Sequence, residues 1–112
     1  MLSEQDLLTC FRHRGQMHGD ELYLSSTAAR DFVAACQENE IAVVGIEGFK
    51  VSGGKRLPLL DGIADYSATS ADTWQDFCRL CNESSHKFLA AQPLDQNLAF
   101  TLVTLSKDEW CV

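Results

Sequence analysis

Two hydrophobic periods alternate along this chain, and the switches between them mark out its elements. In "SEQDLLTCFRHRGQ", Leu7, Leu8, Cys10 and Phe11 form an apolar stripe at helical spacing. Ser3 followed three residues later by Asp6 is a loose capping-box start, and Gly15 is a natural stop. "DELYLSS" then gives a short strand around Leu22 to Leu24. Ser25 or Ser26 caps a second helix through "TAARDFVAACQEN", where Ala29, Phe32, Val33 and Cys36 recur on one face.

The period then changes to two in "IAVVGIEGFKV". Ile41, Val43 and Phe49 fall on one face of this strand, and Ala42, Val44 and Ile46 on the other. Its first half is apolar on both faces, as in a central strand, and Gly53-Gly54 after it is a strong hairpin signal. The return strand runs from Lys55 to Leu60, with Pro58 marking a short or edge position, and Asp61 to Ser67 read as loop, bulge and a short further strand. Ser70 is the expected cap of a long helix, with Asp72 in its first turn. Trp74, Phe77, Cys78, Cys81, Ser85 and Phe88 make its stripe, and it ends before Pro93. Leu98 to Leu105 is the last strand, and the tail "SKDEWCV" is expected to be peripheral. Residues 1–112 thus predict one α+β domain, a sandwich of helices packed on a mostly antiparallel sheet.

Composition narrows the chemistry. The 112 residues suffice for one real core, and no apolar run reaches bilayer length. The N-terminus lacks the basic region of a signal peptide, which makes the cytoplasm the expected compartment. The net charge of −7 argues against binding a phosphate backbone, suits a basic protein partner, and is also what keeps a small protein soluble. Five cysteines without an export signal do not predict a disulfide framework. Cys10 and His13 with Cys78 and Cys81 have the residue types of a zinc site, but both pairs sit in helical stretches rather than knuckles. Cys36, Cys78 and Cys81 lie on apolar helix faces, where a thiol packs as a small hydrophobe, so no metal or other cofactor is expected.

His13, His18 and His86 stand in no nucleophile motif, and "SGGKRLP" suits a hairpin rather than a phosphate loop. No catalytic residue is assigned. Glu47, Asp61 and Asp65 cluster in sequence, and local structural roles and a recognition surface remain alternatives for them. Glu47, set between Gly45 and Gly48, is expected near the strand's exit from the core, with the glycines serving a bulge or a close backbone approach.

The stretch "ENEIAVVGIEGFKVSGGKRLPLLDGIADYS", preceded by "ELYLSSTAARDFVAAC" and followed by Trp74 and "AFTLV", resembles small bacterial immunity proteins of contact-dependent growth inhibition and related polymorphic-toxin systems. The likeness spans Glu21 to Val103. It implies a non-enzymatic protein that binds and blocks a cognate toxin C-terminal domain, often a basic nuclease, in the producing cell's own cytoplasm. With that implication, the candidate toxin-binding residues are Glu47, Asp61, Asp65, Asp72 and Asp76, with Tyr66 and Trp74 as possible aromatic anchors. Trp74 reads first as core; Tyr66 stays open between the two roles. The alternatives are a metal- or thiol-dependent protein using Cys10, His13, Cys78 and Cys81, and a general protein-interaction module.

Overall fold

Helix α1 (Glu4–Phe11) starts as a full capping box: the Ser3 hydroxyl accepts from the Asp6 N–H at 3.1 Å, and the Asp6 carboxylate accepts from the Ser3 N–H at 3.0 Å. A 3₁₀ turn (Arg12–Arg14) follows in the computed structural model, which describes residues 1–110. Gly15 ends the helical run but also opens a strand, β1 (Gly15–His18), which pairs with β2 (Glu21–Leu24) across the Gly19-Asp20 turn. Gly19 has φ +63°, the left-handed conformation such a turn needs.

Helix α2 (Ser26–Glu38) is capped by Ser25, whose hydroxyl accepts from the Ala28 N–H. It ends in a Schellman motif: Ile41 N–H bonds to Cys36 O at 2.9 Å, and Glu40 N–H to Gln37 O at 3.3 Å. Glu40 takes the left-handed position at φ +54°, where glycine is usual.

Strand β3 (Ala42–Ser52) turns through Gly53 and Gly54, at φ +56° and +78°, into β4 (Lys55–Asp65). Helix α3 (Trp74–Ala90) and β5 (Leu98–Leu105) complete the main elements, and a 3₁₀ turn (Lys107–Glu109) follows. The sheet order is β1-β2-β5-β3-β4 with every pair antiparallel, and the three α-helices pack on it. This is the expected α+β sandwich in one domain. Among the described residues no helix is long and apolar enough to cross a membrane.

Four local expectations need correction. Helix α3 is capped by Thr73, not Ser70, and Asp72 lies just outside it. The Asp61 to Ser67 stretch is mostly a continuation of β4, which pairs with β3 on both sides of an excursion, Leu59 to Gly62, set opposite Gly48. The faces of β3 also do not alternate throughout. Its register against β5 slips between Val43 and Gly45, making Val44 an extra residue. Val43 and Ile46 therefore share the main core with Leu24, Phe32, Leu89 and Phe100, while Ala42 and Val44 join a second cluster with Trp74, Phe77, Cys78 and Cys81. Finally, the tail is not wholly peripheral: Trp110 packs 5.8 Å from Trp74 and 5.4 Å from Phe77, ring centre to ring centre. The rest of that segment, Cys111 and Val112, lies outside the described residues.

Two polar residues fasten α3 to β3 beside the bulge. Asn82 accepts from the Val43 N–H at 2.8 Å and donates to Ile41 O at 2.9 Å, and the Ser85 hydroxyl donates to Val43 O at 3.2 Å. Both side chains are buried, so helix side chains here do the work of a neighbouring strand.

Candidate functional site

Beyond the Val44 bulge, the register sets which side chains share a face. Opposed residues in antiparallel strands point the same way. Glu47 stands between Ile63 on β4 and Thr101 on β5, and Gly45 between Asp65 and Val103. Their neighbours Ile46, Phe100 and Leu98 face the helices in the core. The Glu47 row therefore lies on the open face, where Ile63 is 53% and Val103 54% exposed.

Gly45 has no side chain to fill its place in this face. A shallow concavity of about 320 Å³ results, lined by Glu47, Ile63, Asp65, Ser67 and Val103. The Ser67 hydroxyl and backbone N–H donate to Asp65 at 2.6 and 2.9 Å, which holds that carboxyl below its usual range and keeps it ionised. Two carboxylates beside two branched apolar side chains suit a surface that receives a basic group and buries an apolar one.

The glycine after Glu47 has a different role. A Cβ on Gly48 would stand 3.1 Å from Phe100 Cε1 and 3.3 Å from Gly62 Cα, and a Cβ on Gly62 would stand 3.0 Å from Gly48 Cα. These two backbones touch, and that contact is what lets β4 make its excursion. The expectation of a close approach at the flanking glycines thus holds for Gly48, while the bulge that re-aims Glu47 sits further back at Val44.

The other candidates are dispersed. Asp61 is on the β4 excursion, next to Leu60, which is 89% exposed above a groove of about 550 Å³ shared with the α3–β5 loop. Asp72 is exposed ahead of α3, and Asp76 is exposed in its first turn, 3.5 Å from Arg79. Tyr66 is half-buried between the two core clusters, and its hydroxyl donates to Ser84 O at 3.2 Å. Trp74 is buried and donates its indole N–H to Glu40 O at 3.2 Å, so it is core.

The open face also carries a cluster that the sequence pattern did not flag. Tyr23 meets Phe49 edge-on at 5.2 Å, the Arg56 guanidinium lies 5.0 Å from the Tyr23 ring centre, and one of its nitrogens is 3.1 Å from both ring nitrogens of His18. In the sequence Lys55-Arg56 mark only the start of a return strand; the local signal for the cluster is Tyr23, one residue out of phase with the apolar Leu22 and Leu24.

The thiols are placed differently from a reactive or ligating set. Cys10 is exposed, while Cys36, Cys78 and Cys81 are buried. Burial, reinforced by Cys81, pushes the Cys78 thiol up to about 11, and burial raises Cys36 and Cys81 as well, so all three stay protonated and weakly nucleophilic. Among the described residues no three His, Cys, Asp or Glu side chains are grouped to hold a metal ion.

No protein-family model matches this chain, and no curated protein or solved structure matches it.

Proposed function

We propose that this chain is an immunity protein: it binds a cognate bacterial toxin domain, a nuclease with a basic substrate-binding surface, and neutralises it by forming a stoichiometric complex. The reading is non-enzymatic, needs no cofactor and makes no direct contact with nucleic acid. The observation that carries it is the convergence of Glu47 and Asp65 with Ile63 and Val103 on a sheet face that no helix covers among the described residues. A net charge of −7 would speed encounter with a cationic partner, and the exposed branched side chains supply apolar area to bury. The resemblance of Glu21 to Val103 to toxin-neutralising proteins supplies the partner class. The groove of about 480 Å³ between α2 and α3 fits such a partner less well: Arg79 and Lys87 line it, and its one carboxylate, Glu83, already pairs with Arg79 at 3.4 Å.

The test is to search the genes adjoining this one for a toxin domain and to co-express the two chains. A complex with one copy of each chain, and survival of cells making the toxin, are the expected results. Glu47→Lys with Asp65→Lys should weaken the complex by at least about 100-fold, as expected when two desolvated charge contacts turn repulsive. Cells that die despite well-folded protein would refute the proposal.

A further inference from the structure

Strand β4 is an outer strand of the sheet, and its two halves treat that exposure differently. Exposed strand edges invite pairing with another chain, and proteins blunt them with proline, lysine, bulges or short strands. The other edge, β1, spans only Gly15–His18. The first part of β4 is blunted by Lys55, by Pro58 with its missing N–H, and by the Leu59 to Gly62 excursion. From Ile63 to Asp65 this edge, though short, carries no proline, lysine or bulge.

Hydrogen-bond parity shows which groups are free there. The Tyr66 N–H bonds to Val44 O at 2.7 Å, so the backbone of Tyr66, and two residues earlier that of Ala64, faces β3. The N–H and C=O of Ile63 and Asp65 therefore point away from the sheet. Their side chains lie on the open face beside Glu47.

From this geometry we infer that the Ile63–Asp65 edge of β4 takes an extended segment of a basic protein partner as an added strand, with the partner's cationic side chains beside Glu47 and Asp65 and its apolar ones against Ile63. This rests on the reading of the partner as basic. Charge selects that occupant over a second copy of this chain: a β4-to-β4 pair would bring the Glu47 and Asp65 carboxylates of both copies onto one continuous face. Main-chain bonds would hold the segment, and the carboxylates would select its composition.

Amide exchange at Ile63 and Asp65 of the full chain tests this with two blocked hexapeptides, one alternating lysine and valine, the other glutamate and valine. The basic peptide should slow exchange at both amides several-fold, by the factor 1 + [peptide]/Kd, and leave Arg56 and Leu57 unchanged. Ile63→Lys, at an exposed position opposite Glu47, should fold normally and lose the effect. No slowing, or equal slowing by the acidic peptide, would overturn the inference. Slowing that grows with protein concentration alone would overturn it in favour of a second copy. Toxin protection is scored separately: a chain that protects cells while these amides exchange unchanged in the toxin complex upholds the parent reading and overturns this one.

Discussion

Replacing Asn82 by alanine should be among the most damaging single changes in this protein. Its side chain is buried and serves two backbone groups at the point where β3 is bulged. In the variant the Val43 N–H loses an acceptor at 2.8 Å and Ile41 O loses a donor at 2.9 Å. Of its two other partners, Gln37 Oε1 at 2.8 Å belongs to an exposed residue and can turn to water at little cost, and Cys78 Sγ at 3.4 Å is a weak acceptor. Two orphaned groups at ~1–3 kcal/mol each give a loss of about 3 kcal/mol, with the vacated volume adding to it. For a chain of this size that corresponds to a fall in Tm of roughly 12–20 °C.

Urea unfolding followed by tryptophan fluorescence reads the loss directly, since Trp74 is buried on the same helix. The midpoint should drop with the slope unchanged. Ser85→Ala removes one donor from Val43 O at 3.2 Å and should cost only about 1 kcal/mol. If Asn82→Ala cost less than about 1 kcal/mol, or no more than Ser85→Ala, the claim that helix side chains stand in for a strand at the bulge would be wrong.

Glu40→Gly should stabilise the fold by about 0.5–1 kcal/mol in the same assay, because it relieves a left-handed residue at φ +54° by more than the added freedom of the unfolded chain costs. Glu4→Gln should raise Tm near pH 7 and change it little near pH 4. Burial, then a hydrogen bond to Glu109, raises Glu4 above the usual carboxylate range; a group shifted upward contributes stability below its unfolded pKa and loses it as pH rises through the native value. Glu109, held low first by that same bond, runs the opposite way, so the pair is best satisfied in mild acid with the proton on Glu4. A lower Tm for Glu4→Gln at neutral pH would refute this account.

The elements legible in the sequence were those with a local physical cause. Ser25 caps α2, the paired glycines turn the hairpin, and the apolar spacing of Trp74, Phe77, Cys78 and Cys81 is the buried stripe of α3. Strand β1 was illegible because Gln16 and His18 carry no apolar alternation, although Gly19-Asp20 was a usable turn signal. Ser70 and Thr73 are equally good caps; nothing local predicts that the helix starts where the Trp74 indole can reach Glu40 O. Asn82 is polar and was not counted in the buried stripe, since its value comes from backbone groups far along the chain. The candidate site depended on register: Glu47, Asp65 and Val103 meet only because three strands align, while Asp61, Asp72 and Asp76, similar in sequence character, do not join them.

Register also explains how a carboxylate is tolerated within so apolar a strand. Val43 faces the core, and strict alternation from there would aim Gly45, Glu47 and Phe49 inward as well. The extra residue at Val44 advances the phase by one, so Ile46 takes the core position and Glu47 emerges on the open face. Deleting Val44 should therefore leave the pattern beyond it intact: Val43 and Gly45 become consecutive, still opposite Thr104 and Val103, with Ile46 inward and Glu47 outward. What the deletion removes is the packing of Val44 among Trp74, Phe77 and Cys78, a loss of about 2–4 kcal/mol. Glu47→Leu checks the direction of residue 47 in the shortened strand. In the parent chain it should change stability by no more than about 0.5 kcal/mol, because the position is exposed. In the deletion background the change should be equally small, as for two independent sites. A gain of more than about 2 kcal/mol there would mean that the deletion turns Glu47 inward and that pairing with β5 does not set its direction.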